Sequence, residues 1–306
     1  MSCLGFDTSN YTTSVACFDG KDGLNCSRLL DVKPGELGLR QSNALFAHVK
    51  RLPELFALLK EQRDLGTVTA VGVSTRPRPV EGSYMPCFLA GESQATVLAA
   101  ALDVPLYRFS HQEGHIAASL WSSNRLELLE QPHLAWHLSG GTTELLLVEP
   151  WGKSARGTKI GGTTDISAGQ LIDRTGKLLG LQFPAGKAID ALSQETDEKA
   201  CFRVKCKDLT FSLSGVENKV MQYAEGHSPA ETAAYALRSV IGAVLTATDH
   251  ARKAYPGLPV VFSGGVASNS LLHQQATGFD AVFYPPQYAT DNAMGLAVLT
   301  WLQEGT

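Results

Sequence analysis

The same strand–turn–strand pattern occurs twice in this sequence, and the repeat limits the folds that the chain can adopt. The first copy runs from Leu4 to Phe18 and the second from Leu134 to Val148. In each copy an apolar run leads into a small polar turn ending in Thr-Thr and then into a second apolar run, which is the pattern of a β-hairpin. The copies are separated by roughly half of the chain, so the sequence predicts two related lobes and not an array of short repeats.

Helical and strand patterns alternate through the rest of the chain. Strands are predicted at 68–73 and 258–262, and helices at about 231–254 and 292–304. Another amphipathic helix, which Pro53 should kink or interrupt, is predicted from the spacing of Leu45, Val49, Leu52, Phe56 and Leu59. This alternation is typical of an α/β architecture with mixed sheets.

Composition and charge limit the partners of the chain. Hydrophobic residues make up 44% and charged residues 18%, which is ordinary for a globular protein. The net charge of −4 provides no global basic field, so any contact with RNA needs a local basic patch or a partner protein. We see no signal peptide and no apolar stretch of about 18 residues. The six cysteines include no CxxC pair, so we expect a cytoplasmic protein without membrane contact.

Three turns rich in small residues each follow an apolar strand, and together they favour phosphate binding. They lie at 7–13, 139–143 and 263–269. Glycine allows backbone N–H groups to approach an anion, a following helix adds a favourable dipole, and Asp7 could hold Mg²⁺ through water. Any one of these turns alone is better explained as a plain hairpin. Neither a Walker A motif nor a GxGxxG motif is present.

The segment His111-Gln-Glu-Gly-His115 is a candidate metal site. If it begins a helix, the two imidazoles lie on one face and can share an ion with a carboxylate from elsewhere. The alternative is that both histidines are surface or capping residues. A zinc protease needs glutamate directly after the first histidine, where this chain has Gln112. Glu113 lies about 100° further around the helix, so protease chemistry is disfavoured.

Asp173 is a second candidate with two open interpretations. It lies in the middle of a predicted helix among apolar neighbours. Its carboxylate either is solvated or paired with Arg174 or Lys177, or it faces the hydroxyl groups of a ligand.

These motifs occur in the order of a known family. The chain resembles the tRNA threonylcarbamoyladenosine synthase family, historically called glycoprotease, of the actin-like ATPase superfamily. The matching segments are Gly5-Phe-Asp-Thr-Ser, His111-Gln-Glu-Gly-His115, Ser139-Gly-Gly-Thr-Thr, Asp173-Arg-Thr-Gly-Lys-Leu-Leu-Gly-Leu, Phe183-Pro-Ala-Gly, Phe211-Ser-Leu-Ser-Gly215, Gly264-Gly-Val-Ala-Ser-Asn269 and Thr290-Asp-Asn. The resemblance implies an α/β, two-lobed, ribonuclease H-like duplicated fold. Its N-terminal lobe would cover 1–110, with a C-terminal helix at about 290–306 packing back on it, and its C-terminal lobe 111–290.

The resemblance also implies where ligands bind. One divalent transition metal, iron or zinc, would be held by His111, His115 and Asp291, with His137 as an additional candidate ligand. Together with the turns described above, it implies a pocket for ATP, ADP or an acyl-adenylate, with Mg²⁺ as a candidate companion ion. The residues of that pocket would be Asp7, Leu138, Ser139, Gly140, Gly141, Asp173, Gly186, Asp190, Gly264, Gly265 and Asn269.

The implied reaction transfers a threonylcarbamoyl (or carbamoyl) group from an adenylate to N6 of adenosine 37 in tRNA. The implied partners are tRNA, an acyl-adenylate-forming enzyme and actin-like or ATPase proteins, and a dimer is a candidate assembly. The family usually carries an Asp-Glu pair where this chain has Tyr11 and Thr12. That difference keeps two alternatives open: a non-catalytic or regulatory nucleotide-binding paralogue, and a small-molecule kinase or ATPase of the same superfamily.

Overall fold

A computed structural model describes residues 1–9, 12–31, 40–283 and 292–305 of the chain. The chain divides into two compact units. Unit 1 contains Met1–Gln131, Glu149–Arg156 and Thr290–Thr306, and unit 2 contains Pro132–Val148 and Gly157–Ala289.

Strands and helices alternate along the described residues. The strands are β1 (Ser2–Asp7), β2 (Thr12–Phe18), β3 (Gly23–Leu29), β4 (Val68–Arg76), β5 (Leu106–Ser110), β6 (His133–Leu138), β7 (Thr143–Trp151), β8 (Ser154–Thr163), β9 (Thr210–Phe211), β10 (Val260–Ser263) and β11 (Ala281–Phe283). The helices are α1 (Gln41–Gln62), α2 (Phe88–Leu102), α3 (His111–Ser122), α4 (Ala168–Leu178), α5 (Gly186–Ser193), α6 (Ser214–Ala224), α7 (Pro229–Ala254), α8 (Ser270–Gln275) and α9 (Met294–Glu304). None of the helices described here is long and apolar enough to span a membrane.

The two sheets repeat one topology. The first has the strand order β3-β2-β1-β4-β5, and the second contains β8-β7-β6-β10-β11 with β9 added beside β8. In each sheet the opening strand pairs antiparallel with the next one, β1 with β2 and β6 with β7, and parallel with a later one, β4 or β10. Both predicted hairpins are confirmed, and the shared order supports a duplicated α/β fold.

The core of unit 1 lies between its sheet and its helices. Apolar side chains from β1, β2 and β4 pack with Leu52, Leu55 and Leu59 of α1. Helix α9 returns from the C-terminus to this unit, where it packs on β1, β4 and α3. The close approach of α9 and α3 needs glycine, because a Cβ atom on Gly295 would lie 1.8 Å from the backbone oxygen of Gly114.

Unit 2 is built around α7, the longest helix among the residues described. Fourteen of its residues are buried, and it packs in one core with β6, β10 and α4. Ser228 caps its first turn, and Pro229 occupies the first helical position, where the missing N–H costs nothing. The predicted 231–254 helix is therefore confirmed, with its start two residues earlier.

Two expectations from the sequence are corrected. Pro53 does not interrupt α1, which is continuous from Gln41 to Gln62, because burial of three leucines on one face outweighs the local cost of proline. The lobe boundary predicted after residue 110 also differs, since residues 111–131 belong to unit 1. The physical reason is that α3 packs against α9 and against β4 and β5.

Candidate metal and nucleotide sites

Helix α3 begins at His111, so His111 and His115 lie four residues apart in one helix, as predicted for a metal-binding pair. Ser110 caps it: its hydroxyl accepts from the Glu113 N–H, and the Glu113 carboxylate accepts from the Ser110 N–H at 2.7 Å. The other Glu113 oxygen accepts from the Ser154 hydroxyl at 2.9 Å. Glu113 is thus a buried structural group, which agrees with the expectation that protease chemistry is disfavoured. The S-x-x-E signature of a capping box was present in the sequence and would have located this helix start.

The two histidines of α3 face each other and a buried aspartate. Their Nε2 atoms are 2.8 Å apart, and the Nδ1 atom of His111 lies 3.1 Å from the Asp7 carboxylate. Asp7 has no exposed side-chain surface, whereas His111 keeps 19% of its side chain exposed. A neutral His111 that donates its Nδ1 proton to Asp7 presents the Nε2 lone pair on the side of His115.

This arrangement fits a metal ion. Two imidazole nitrogens that bind one tetrahedral ion, each about 2.0–2.1 Å from it, lie about 3.3 Å apart. The 2.8 Å separation is that of a hydrogen bond between the two rings, and a shift of about 0.5 Å would bring both nitrogens to the spacing that a shared ion needs. A carboxylate behind a ligating histidine is the usual orienting group of such sites. Within the four described ranges, no group of three or more His, Cys, Asp or Glu residues is arranged to hold an ion. The predicted third ligand, Asp291, lies outside the described residues, so that assignment stays a prediction.

Asp7 is predicted to contact a nucleotide or its Mg²⁺, and this assignment stays a prediction. Its carboxylate accepts hydrogen bonds from the hydroxyl groups of Ser9, at 2.7 Å, and Ser74, in addition to the His111 contact. A buried carboxylate held in this way is also suited to orienting the imidazole of His111.

In unit 2 the turn between β6 and β7 has a rigid backbone. The Ser139 N–H donates to the Thr142 oxygen at 2.8 Å, and the Ser139 hydroxyl accepts from the Thr142 N–H. The Gly140 oxygen accepts from the hydroxyl of Ser167, the capping residue of α4, at 2.6 Å. The turn and the start of α4 are therefore held together, and α4 directs its N-terminus towards the turn.

The turn after β10 closes on the end of β6. Gly264 has φ +92°, and a Cβ atom there would lie 2.2 Å from the oxygen of Leu138, the last residue of β6. Glycine is needed at this position for both conformation and space. The structure thus brings the predicted residues Leu138, Ser139, Gly140 and Gly264 together.

Four of the predicted site glycines have open space on the side where a Cβ atom would lie. A Cβ atom added to Gly140, Gly141, Gly186 or Gly265 would meet no other atom within 4 Å. All four are exposed. These positions leave room for a ligand to approach the backbone.

Asp190 and Asn269 form one hydrogen-bonded group. The Asn269 side-chain nitrogen donates to Asp190 at 2.7 Å, and the Ser270 hydroxyl donates to the same oxygen at 2.8 Å. The Asn269 side-chain oxygen accepts from the N–H groups of Leu271 and Leu272, which caps α8. Both predicted residues therefore have a structural task, and Asp190 remains half-buried.

Asp173 forms no ion pair with Arg174 or Lys177, its two predicted partners. It accepts from the Ala185 N–H at 2.8 Å, directly before α5, and Arg174 instead pairs with Glu217 at 2.6 Å. Asp173 is half-buried and stands beside Gly186. This places it at the start of α5 in unit 2.

Asp165 is a carboxylate with several hydrogen-bond donors around it that sequence analysis missed. It accepts from the hydroxyls of Ser212 and Ser214 and from the N–H groups of Leu213 and Ser214, which fixes the start of α6. Burial alone would raise its pKa, but these hydrogen bonds dominate and hold the pKa well below its usual value. The serines are more than 45 residues away in the sequence, so no local pattern could have revealed the pairing.

One further predicted position, His137, stays a prediction, and two positions depart from the family pattern. His137 lies in β6 of unit 2, opposite Glu144 of β7, and its role as an additional metal ligand is untested. Tyr11 lies outside the described residues, whereas Thr12 is buried in β2. Thr12 cannot supply the carboxylate that its position usually carries in the resembled family.

Comparison with known proteins gives the family. The family model described as "TsaD: tRNA N6-adenosine threonylcarbamoyltransferase" matches residues 38–298. The chain belongs to this family. The matched range contains every predicted site residue except Asp7, and the predictions of the family and of an acyltransferase enzyme are confirmed.

Individual members of the threonylcarbamoyltransferase family match over nearly their whole length. The tRNA N6-adenosine threonylcarbamoyltransferase of Thermus thermophilus is 32% identical over 98% of this chain and 92% of its own length. That of Methylobacillus flagellatus is 30% identical over 97% of this chain and 91% of its own length. These relatives are enzymes of tRNA modification.

Solved structures show the fold of this threonylcarbamoyltransferase-family chain. Full-length HypF, in a phosphate- and nucleotide-bound form, matches with a TM-score of 0.59 and 15% identity over 97% of the chain. The chain spans 46% of that HypF. The activator of 2-hydroxyisocaproyl-CoA dehydratase from Clostridium difficile matches with a TM-score of 0.55 and 14% identity over 100% of this chain and 97% of its own length. The predicted actin-like ATPase fold is confirmed.

Proposed function

We propose that the protein transfers a threonylcarbamoyl (or carbamoyl) group from an acyl-adenylate to N6 of adenosine 37 in tRNA. We further propose that His111 and His115 hold one iron or zinc ion, with Asp291 as the third ligand. The observation that carries the proposal is the 2.8 Å separation of the two Nε2 atoms, with Asp7 behind His111. Membership of the threonylcarbamoyltransferase family supplies the reaction class.

The residues of unit 2 are proposed to bind the adenylate. The exposed backbone of Gly140, Gly141 and Gly265 can approach phosphate oxygens, because no side chain occupies the space beside these residues. The N-terminus of α4, capped by Ser167, adds a favourable dipole for an anion. Asp173 and Asp190 are half-buried carboxylates that are suited to accept hydrogen bonds from ribose hydroxyls.

The reaction needs no covalent intermediate with the protein. The N6 amine of adenosine attacks the carbonyl carbon and a new C–N bond forms. The C–O bond between the carbonyl carbon and the adenylate phosphate breaks, AMP leaves with the electron pair, and the nitrogen releases one proton to solvent. A bound metal would supply polarisation of the carbonyl and stabilisation of the developing negative charge. Asp7 keeps the proton of His111 on Nδ1 and fixes the orientation of the ring.

Metal analysis of the purified protein tests the site. We expect one equivalent of iron or zinc in the wild type. We expect loss of most of it in His111→Ala, because only two of the three proposed ligands, His115 and Asp291, would remain. His250→Ala is the matched control, since His250 lies in α7 of unit 2 and its Nδ1 atom is 2.9 Å from the backbone oxygen of Asp208. Full metal occupancy in His111→Ala would refute the assignment.

A transfer assay tests the reaction itself. Unmodified tRNA with adenosine at position 37 is incubated with the protein and with threonylcarbamoyl-adenylate from an acyl-adenylate-forming enzyme. We expect modified adenosine with the wild type, and a strong loss with His111→Ala. Binding of nucleotide without any transfer, also in the presence of candidate actin-like and ATPase partner proteins, would indicate the regulatory alternative instead.

A further inference from the structure

Residues 199–207 form an extended segment of unit 2 that separates apolar from basic side chains. Ala200, Phe202, Val204 and Cys206 pack against the core of unit 2. The intervening residues point outwards, and four of them are basic and exposed: Lys199, Arg203, Lys205 and Lys207. Alternation with period two is the geometry of an extended chain, so these four form a stripe along one side of the segment. We call them the basic stripe.

The basic stripe differs in charge from the rest of the molecule. The segment contributes +4 and contains no acidic residue, whereas the whole chain has a net charge of −4, so the remaining residues sum to −8. Among the ion pairs of the described chain, none uses a side chain of the stripe. Acidic residues lie at both ends of the segment, Glu198 before Lys199 and Asp208 after Lys207, but every charged side chain within 199–207 is basic.

The backbone of the segment is held in place. The Phe202 N–H donates to the buried hydroxyl of Ser239 in α7 at 2.8 Å, and the Ala200 N–H donates to Glu198 at 2.7 Å. At the other end, Lys207 and Thr210 exchange two backbone hydrogen bonds of 2.9 Å. The cationic groups therefore project from an anchored support.

An aromatic stack lies next to the Lys199 end of the stripe. The ring of His227 stacks on Tyr223 with centroids 3.6 Å apart, and Tyr223 stacks on Tyr235 at 4.1 Å. Burial and the neighbouring Glu198 carboxylate raise the pKa of Tyr223 to about 12. Glu198 directly precedes Lys199, so the stack adjoins the stripe, and His227 is the exposed end member.

We propose that the basic stripe binds the phosphate backbone of the tRNA substrate and that His227 stacks on an unpaired base beside it. This inference rests on the proposed function for the identity of the RNA. Alternate residues of an extended chain are about 6.6–7 Å apart, a separation similar to that of successive phosphates along an RNA strand. The stripe supplies the local positive surface that an acidic protein needs in order to bind RNA.

The combination of features favours RNA over an anionic membrane. A membrane-binding surface combines cations with exposed apolar side chains that enter the lipid, but the apolar residues of this segment face the core. Stacking platforms beside cationic grooves are typical of proteins that bind single-stranded nucleic acid.

The test measures binding of a fluorescent tRNA transcript to the full-length protein at several salt concentrations, without an acyl donor. In the triple variant Arg203→Gln, Lys205→Gln and Lys207→Gln, we expect the Kd to rise at least about tenfold at low salt. We also expect the slope of log Kd against log salt to fall by about 2, since each contact to a single-stranded phosphate contributes about 0.7. Because these side chains are exposed, circular dichroism should show an unchanged fold.

The matched control neutralises three exposed lysines elsewhere, Lys21→Gln, Lys60→Gln and Lys253→Gln. We expect this control to change the slope by much less than the triple variant does. His227→Ala should raise the Kd roughly fivefold and change the slope much less than the triple variant does, because it removes a stacking platform and leaves the basic stripe intact.

Several outcomes would overturn the proposal. One is the absence of tRNA binding by the wild type. Another is an equal slope of log Kd against log salt in the wild type and the triple variant. A third is an equal loss of tRNA affinity in the triple variant and the lysine control. Tighter binding to phosphatidylserine vesicles than to tRNA would also overturn it. Ultraviolet crosslinking of wild-type protein to tRNA gives an independent measurement, and the crosslinked peptide should contain residues 199–207.

The result can be separated from that of the proposed function. If tRNA binding depends on the stripe but no group transfer occurs, the proposed reaction fails and this inference stands. If transfer occurs and the triple variant binds tRNA normally, the reaction stands and this inference fails.

Discussion

At the scale of single residues, Asp7 has two candidate roles: it orients the imidazole of His111, or it contacts a nucleotide or its Mg²⁺. If it orients His111, Asp7→Asn should raise the dissociation constant of the metal by about 10- to 100-fold, as loss of an orienting carboxylate does elsewhere. Competition with a coloured chelator measures this affinity. Asp280→Asn is the control, because Asp280 is an exposed acid in unit 2. An unchanged affinity in Asp7→Asn would show that this carboxylate does not support the metal site.

Gly264 gives a prediction about the turn after β10. Its φ of +92° and the 2.2 Å approach of a Cβ atom to Leu138 lead us to expect that Gly264→Ala lowers the free energy of unfolding by at least about 2 kcal/mol. Gly265→Ala should have little effect on stability, since the space beside Gly265 is open. Denaturant titration compares the two variants, and equal stabilities would contradict the prediction.

How much the sequence revealed at this scale depended on the distance between partners. His111 and His115 are four residues apart, so helical geometry alone placed them on one face. Asp7 and His111 are 104 residues apart, and their contact arises only because β1 and the start of α3 meet in the same unit. A single sequence carries no signal for such a pair.

At the scale of secondary structure, Asp165 holds the start of α6 through side-chain and backbone hydrogen bonds. Asp165→Ala should lower the free energy of unfolding by about 1 kcal/mol at pH 7, as removal of a helix-capping group does. Asp197→Ala should leave the free energy of unfolding unchanged, because Asp197 is an exposed acid outside the helices. Thermal unfolding of the three proteins measures the difference.

The effect of Asp165 on stability should depend on pH in a defined direction. Its pKa in the folded protein is lowered, so the stabilisation is complete above the pKa of the unfolded chain, about 3.9, and is lost as the pH falls through the lower folded value. The difference in stability between wild type and Asp165→Ala should therefore be constant from pH 7 to about pH 5 and shrink below about pH 4. A difference that grows on acidification would contradict this account.

Helix α1 shows that a prediction from local sequence, here a helix break at Pro53, can fail when tertiary packing opposes it. Proline in a helix interior removes a hydrogen bond and normally kinks or breaks the helix. Around Pro53, however, Leu52, Leu55 and Leu59 are all buried in the core of unit 1, and this packing keeps the helix continuous. The hairpins, in contrast, were predictable because turn chemistry and strand alternation are local signals.

At the scale of the whole chain, the repeated hairpin was visible in the sequence, but the strand order of the sheets and the limits of the units were not. Duplication left a similar motif in each half, which a single sequence reveals. The assignment of α3 to unit 1 depends instead on the fit between Gly114 and Gly295, which are far apart in the sequence. Packing of this kind is a property of two surfaces, so it could not be predicted from either segment alone.

The division into two units predicts how local stability is distributed. Leu296 of α9 and Leu237 of α7 are both buried, with 1% and 0% exposure, and each lies in one unit. Replacement of either by alanine should cost about 2–5 kcal/mol. If each unit opens separately, Leu296→Ala should lower hydrogen-exchange protection in β1, β4 and α3 but not in β6 and β10, and Leu237→Ala should do the reverse. Mass spectrometry of exchanged peptides measures both patterns, and a uniform loss of protection in either variant would mean that the chain opens as one cooperative body.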